Sequence, residues 1–578
     1  MDKKSYCIAW LMLLFVGSLH AQYRTTTYCN PLNLDYTYPF HNSHLGKSYR
    51  SGADPAVVEF RGEYYMFVTR SWGYWHSKDL LNWDFITPEK WYFEGCNAPA
   101  AHNYKDSVLY VCGNPSGAMS ILYTDNPKRG DWKAVPSVLH DLQDPALFID
   151  DDERAYMYWG SSNRWPIRGK ELDMKNKFLP IAKKPDSLLF LRPDIHGWER
   201  FGENHTSDIK PFIEGAWMTK HNGKYYLQYA APGTQFNVYG DGVYVGKSPL
   251  GPFEYAAHNP FCYKPGGFAT GAGHGSTVCG PGGIYWHFGT IHLSINYKFE
   301  RRLCMFPTFF DEDGAMYSDT YFGDYPHYSP DQVSRQRTSG GFRGWMLLSY
   351  GKPVKASSQL ESYPVENVTD ENLKTFWVAE KNDDKQWVEI DLEEVSDVYA
   401  LQLNFFDYEE TGFWGRMPNL RQRYLVEASV DGARWRVLVD YRNSFRDAPH
   451  NYIELDQPIE ARYIRYRHHY VPGKNLAMGD IRVFGLGRGK KPATVKGFTV
   501  VREADERNAR ISWKAVKGAQ GYNVLWGVAL DKLYSSWMVY GDNSLDLRAL
   551  TVGQKYYFAI EAFNENGISQ RVFLREAH

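Results

Sequence analysis

The chain has almost no net charge: 65 Lys plus Arg stand against 67 Asp plus Glu over 578 residues, a balance of −2. That excludes strong electrostatic capture of nucleic acid or an anionic membrane and makes a neutral ligand the first expectation. Beyond the amino terminus no uncharged apolar run approaches the ~20 residues needed to cross a bilayer, so membrane insertion is not expected. Long segments of 3.6-residue periodicity are also lacking, which argues against a helical architecture. Cysteine is scarce, seven in all, and six of them (Cys29, Cys96, Cys112, Cys262, Cys279, Cys304) lie outside the first apolar run without the close pairing of zinc ligands. Buried thiols are expected of them rather than a disulfide framework.

Aromatic residues, by contrast, are abundant: 16% of the chain, with 43 Tyr and 19 Trp. Rigid rings fill β-rich cores and stack on the apolar faces of sugars. The hydrophobic fraction of 43% is that of a globular protein, and 578 residues favour several folding units. Lys3, Lys4, the apolar run Cys7 to Val16 and the small residue Ala21 read as an export signal over residues 1–21. Cleavage after Ala21 and a periplasmic or extracellular location are expected. Cys7 lies inside the run, which speaks against a lipid anchor.

Five segments share one pattern: Ala53-Asp54-Pro55-Ala56, Asn97-Ala98-Pro99-Ala100, Gln143-Asp144-Pro145-Ala146, Ile213-Glu214-Gly215-Ala216 and Gly273-His274-Gly275-Ser276. A turn signal and an aromatic strand follow each, as in Arg61-Gly62 before Tyr64-Tyr65-Met66-Phe67 and Asn222-Gly223 before Tyr225-Tyr226-Leu227. Units of about 45 to 70 residues suit four-stranded blades, and five of them predict a β-propeller over residues 25–330. In a propeller the innermost strands begin beside one axis, so Asp54, Asp144, Glu214 and His274 are expected to converge. Taken singly, Asp-Pro is a turn signal; three acids in one phase of a repeat are not explained by turn chemistry.

Paired carboxylates in an aromatic hollow are the apparatus of glycosidic hydrolysis, one donating a proton and the other activating water or attacking the sugar. The order Asp54, Asp144, Glu214, with His274 opening the fifth unit, resembles glycoside hydrolase family 43, whose members act on arabinofuranosyl, xylosyl and some galactosyl linkages. The resemblance implies an inverting displacement in which Asp54 is the base, Asp144 orients the proton donor and tunes its pKa, and Glu214 is the general acid. It also implies that Arg301 lies beside the base, with Arg302 as rival, and that His274 holds a structural Ca2+ through water, a core imidazole being the alternative. No cofactor is required on this reading. Trp75 and Trp165 are candidate sugar platforms. Two departures bear on specificity: the second unit lacks the Trp-Ala-Pro-Asp common in the family, and the insert Gly169 to Lys210 has no clear counterpart.

From residue 346 to 485 the phrases Thr375-Phe376-Trp377, Gln386-Trp387-Val388-Glu389-Ile390-Asp391-Leu392 and Val426-Glu427-Ala428-Ser429-Val430-Asp431-Gly432 resemble a discoidin-like (F5/8 type C) β-sandwich, either glycan-binding or structural. Residues 486–492 read as a Gly-rich basic linker. Residues 493–578, with Ala509-Arg510-Ile511-Ser512-Trp513 and Gly521-Tyr522-Asn523-Val524, resemble a fibronectin type III sandwich serving as spacer or packing. The expected class is therefore all-β, a five-bladed propeller followed by two sandwiches, in a monomeric glycosidase acting on oligo- or polysaccharide. Galactosyl or galactofuranosyl specificity, a retaining propeller of the fructan-hydrolase type and a non-catalytic glycan-binding protein are the alternatives. The Asn-Asp-Pro-Asn opening of the fructan hydrolases is absent, since Ser51-Gly52-Ala53 precedes Asp54.

Overall fold

The computed structural model describes residues 25–39, 46–89, 96–114, 118–136, 139–140, 142–182, 184–336 and 340–574. The expected export signal, residues 1–21, lies outside them.

Five antiparallel sheets follow one another along the chain, each wound from inner to outer strand. Blade one runs Ala56–Phe60, Glu63–Phe67, Tyr74–Ser77 and Trp83–Ile86. The inner pairs of the others are Asn97–Tyr104 with Val108–Asn114, Ala146–Ile149 with Ala155–Trp159, Glu214–His221 with Lys224–Ala231, and Gly273–Cys279 with Tyr285–His292. Two-residue turns that need positive φ close the hairpins: Arg61-Gly62 at 55° and 77°, Asn222-Gly223 at 47° and 73°. The ring closes by packing between blades one and five, where Val57 N donates to Ser276 Oγ at 2.8 Å.

The insert begins later than its sequence suggests. Gly169 to Asp173 complete the third strand of blade three, Ile167–Asp173, paired to Ala155–Trp159. Short strands and 3-10 turns occupy the rest, ending with Glu203–His205.

Residues 346–486 build the second unit, a β-sandwich whose longest strands are Trp387–Phe405, His450–Tyr470 and Ala477–Leu486. Alternation along Trp387-Val388-Glu389-Ile390-Asp391-Leu392 buries Val388, Ile390 and Leu392. A second sandwich, the third unit of the chain, spans Lys496–Arg502 to Val572–Leu574 in two sheets. The expected linker is pinned: Gly487 N donates to Glu565 O at 2.8 Å, Gly489 N to Asn566 Oδ1 at 2.7 Å, and Arg488 pairs with Asp397 and Glu460. Composition signals flexibility there, but partners in both sandwiches remove it. The second sandwich also grips the insert, with Arg507 Nη1 bonding Pro193 O at 2.7 Å and Gly197 N bonding Leu550 O at 2.8 Å. One buried cluster joins Phe322 and Tyr325 of the propeller region, Ala400 and Phe484 of the first sandwich, and Met538 and Phe563 of the second. The six cysteines among the described residues are free thiols, with Cys279 exposed and the others buried.

Candidate active site

Each blade enters its innermost strand through one residue in the left-handed region: Asp54 (φ 56°), Ala98 (43°), Asp144 (49°), Gly215 (66°) and His274 (49°). Regular pairing runs on from two residues later every time, from Ala56, Ala100, Ala146, Trp217 and Ser276. Glu214 is not in the same phase as the two aspartates, because it precedes the left-handed position, which Gly215 takes. The register shift between Glu214 and Trp217 recurs in blades two and five, between Asn97 and Ala100 and between Gly273 and Ser276. Alignment on the small residue after Pro or Gly hides the phase of Glu214.

Side-chain caps from neighbouring strands hold this costly backbone. Asp54 N donates to Thr290 Oγ1 at 2.9 Å, Ala98 N to Thr69 Oγ1 at 2.8 Å, and His274 N and Gly275 N to Asp241 Oδ1 and Oδ2 at 2.7 and 3.0 Å. Left-handed non-glycine residues cost about 1–3 kcal/mol each and persist where the surroundings over-determine them.

The four residues do converge. Ligand atoms of Asp144, Glu214 and His274 lie within 4.8 Å of one another. His274 Nδ1 is 3.4 Å from Asp54 Oδ1 and 3.9 Å from Asp144 Oδ2. Asp54 Oδ2 accepts from Thr69 Oγ1 at 2.5 Å, and Arg301 Nη1 lies 3.4 Å from Asp54 Oδ1. Glu214 accepts from Tyr239 OH at 2.6 Å and from Ser161 Oγ at 3.0 Å.

Electrostatics divides the acids. Burial raises the pKa of Asp54, but Arg301, His274 and the Thr69 hydroxyl outweigh it and hold the carboxyl below its ordinary value. Asp144 is pushed up to about 7 by burial, with the charges of Glu214 and Asp54 adding to the rise against His274. Asp144 therefore keeps a proton to about neutrality beside Glu214. His274 rises despite its burial, because Asp54, Asp144, Glu214 and Asp241 surround it.

Asp144, Glu214 and His274 offer an ion two carboxylates and one nitrogen, where calcium takes six to eight oxygens. They fit a cation that keeps most of its water, not a caged one.

Arg301 stands beside Asp54, whereas Arg302 turns away: its Nε donates to His450 Nε2 at 2.7 Å and its Nη1 to Arg50 O at 2.7 Å. Trp165 is 55% exposed, four residues after the serine that touches Glu214. Trp75 is no sugar platform. At 1% exposure it is packed edge-on against Phe85, its Nε1 donating to Asp35 Oδ1 at 2.6 Å, because its strand position faces the blade interior. Thr69, Ser161, Tyr239 and Asp241 escape the sequence reading because they lie outside the repeated phrase. Tyr239-Gly240-Asp241-Gly242, polar residues entering a strand of the unit that carries Glu214, was the available signal.

A ring of blades with buried acids on its axis defines the glycosidase class of propeller. Residues 49–316 match the model of glycosyl hydrolases family 43, and residues 353–478 match that of the F5/8 type C domain. The propeller is thus a family 43 domain, followed by an F5/8 type C domain. Similar proteins include a beta-xylosidase of Xylanibacter ruminicola, 33% identical over 202 residues covering 31% of this chain and 57% of the relative. An arabinoxylan arabinofuranohydrolase of Bacillus subtilis (strain 168) is 25% identical over 331 residues, 46% of this chain and 60% of the relative. A beta-D-galactofuranosidase of Aspergillus niger (strain ATCC MYA-4892 / CBS 513.88 / FGSC A1513) is 25% identical over 303 residues, 46% of this chain and 81% of the relative. The matches to the first two span about three-fifths of those relatives' own length.

Proposed function

We propose that the protein is an exported, monomeric glycoside hydrolase that removes arabinofuranosyl or xylosyl units from plant-type polysaccharide by single displacement with inversion. The observation that carries this reading is the split between the acids on the axis: Asp54 is held below its ordinary pKa by Arg301 and His274, while Asp144, beside Glu214, keeps a proton to about neutrality. An ionised carboxylate can take a proton from water as it attacks the anomeric carbon. In the same step Glu214, oriented by Ser161 and Tyr239, protonates the departing oxygen. Asp144, with its carboxylate within 4.8 Å of that of Glu214, orients the proton donor. His274 supplies positive charge between the acids, and a hydrated calcium ion held by the same residues would add only further positive charge. The buried Nε of Arg301 has no protein partner among the described residues and is a ready donor to a sugar hydroxyl.

Galactofuranosyl specificity is the second reading, favoured by the Aspergillus relative. The F5/8 type C domain is proposed to touch glycan at a cleft of about 1150 Å³ shared with blade one, lined by Trp72, Phe85, Trp414, Arg416 and Phe445. The last sandwich is read as a fibronectin type III domain that packs instead of binding. The test is a screen of nitrophenyl arabinofuranoside, xyloside, galactofuranoside and galactopyranoside, followed by a proton NMR time course of the first product. Inverted product from the arabinofuranoside or xyloside is expected; a first product of retained configuration would overturn the mechanism.

A further inference from the structure

Arg301, the arginine paired with Asp54 among the described residues, adjoins a polar ladder that runs from the propeller into another domain. Arg50, 3% exposed, sends Nε to Asp407 Oδ2 at 2.9 Å and Nη1 to Asp447 Oδ2 at 2.6 Å, both acids lying in the F5/8 type C domain. Tyr38 OH also donates to Asp407 Oδ2 at 2.7 Å, and Gln422 Nε2 to Asp447 Oδ1 at 2.9 Å. The Arg50 carbonyl accepts from Arg302 Nη1, and Arg302 Nε donates to His450 Nε2, each at 2.7 Å. His450 is fully buried and bonded through Nδ1 to Asn404 Oδ1 at 2.8 Å. Burial and the charges of Arg302 and Arg50 keep its pKa well below the ordinary value, so it is a neutral acceptor with Nδ1 carrying the hydrogen.

Both arginines adjoin the residues that reach the base. Ser51, after Arg50, accepts Arg301 N on its Oγ at 3.1 Å and donates to Phe299 O at 2.9 Å. Gly52 N donates to Arg301 O at 3.1 Å. Arg301, before Arg302, places Nη1 3.4 Å from Asp54 Oδ1 and 3.3 Å from Thr234 Oγ1. A merely cohesive interface has no need to bury two arginines against two half-buried carboxylates at this spot. Buried ion pairs are poor contributors to stability and are better suited to fixing one geometry.

We infer that the F5/8 type C domain is a working part of the catalytic site: Asp407, Asp447 and His450 are positioning residues that fix Arg50 and Arg302 and through them the Arg301 guanidinium beside Asp54. The inference rests on the proposed role of Asp54 as base. Loosening the ladder lets Arg301 drift, which misplaces the base and weakens the positive field upon it. The other charged or titratable groups facing Asp54 are His274, Asp144, Glu214 and Tyr239, and all of them belong to the propeller. The ladder can therefore act on Asp54 only through Arg301.

The test uses the full-length protein and the nitrophenyl glycoside that it cleaves best. His450→Leu removes the acceptor for Arg302, His450→Gln restores one, and Asp447→Asn removes one charge from the Arg50 clamp. Glu454→Gln is the control. It weakens the same interface where Glu454 accepts from Thr26 N and Thr27 N at 2.8 and 2.9 Å, away from the ladder. Arg301→Met serves as reference. The expected result is a fall in kcat on the order of ten- to a hundredfold for His450→Leu and Asp447→Asn. The acid limb of kcat/KM should move upward as in Arg301→Met, with rescue in His450→Gln and no change in Glu454→Gln. A displaced limb in Arg301→Met with none in His450→Leu or Asp447→Asn overturns the inference while leaving the catalytic reading intact. An equal loss in Glu454→Gln overturns it too, by making the interface generally structural. If Arg301→Met itself leaves rate and profile unchanged, the reading of Asp54 fails and the inference with it. Should His450→Leu fail to fold, as its melting curve would show, Asp447→Asn carries the same comparison.

Discussion

At the residue scale, Asp144 is where function and stability pull apart. A buried carboxyl with a pKa of about 7 binds a proton in the native state that the unfolded chain, near 3.9, releases over most of that interval. The protein is therefore stabilised by this group below pH 4 relative to pH 8, and the difference is lost as pH rises through 7. Asp144→Asn should remove the penalty, raising the melting temperature at pH 8 while leaving it nearly unchanged at pH 4. A melting series at the two pH values checks it, and no gain at pH 8 would show that Asp144 is not held protonated. Asp54 has the opposite sign: its depressed pKa stabilises the native state above about 3.9, a contribution lost as pH falls through the lower, native value. The two tryptophans separate just as cleanly. Trp75→Ala empties a fully packed site and should cost about 3–5 kcal/mol in denaturant unfolding. Trp165→Ala, on an exposed ring, should leave stability unchanged within about 0.5 kcal/mol and raise KM on oligosaccharide. Both rings look alike in the sequence, because local pattern shows neither which way Trp75 faces in its strand nor that Trp165 stands in the loop before Ile167–Asp173.

Among elements, the entry to each innermost strand matters most. The hairpins were legible because Arg61-Gly62 and Asn222-Gly223 supply the φ values that tight turns demand. Convergence of the acids was legible because a propeller places equivalent positions at one axis. The one-residue offset of Glu214 was not: Glu-Gly-Ala fits the repeat in two registers, and only the backbone shows that Gly215 takes the left-handed position. Gly215 makes that offset testable. Its φ is 66°, and a Cβ there would sit 2.9 Å from His274 Cγ. Gly215→Ala should therefore displace Glu214 and His274 together and lower kcat by more than tenfold. An Ala variant of native activity would mean that the entry is more pliable than its packing implies.

For the whole molecule, sequence resemblance drew the family 43 and F5/8 type C domains that the family models match, and gave no sign of how closely the three units interlock. Polar contacts such as Arg302 with His450, 148 residues apart, and Lys532 with Asp311, 221 apart, join surfaces that carry no local periodicity. Truncation after residue 345 should accordingly give a protein that unfolds at lower temperature and has lost activity on small glycosides as well as polymer. It would expose Phe322 and Tyr325 and leave Arg50 without Asp407 and Asp447. A truncated propeller with native melting and native small-substrate activity would show that the domains merely touch.

The central claim, that the axial acids divide the chemistry between an ionised base and a proton donor, is tested most directly by kinetics of Glu214→Ala on paired substrates. With an activated dinitrophenyl glycoside, whose leaving group needs little protonation, the variant should keep much of its kcat. With the matching unactivated disaccharide it should lose several orders of magnitude, and Asp54→Ala should be nearly inactive on both. Equal loss on both substrates in Glu214→Ala, or substantial activity in Asp54→Ala, would contradict the division of roles.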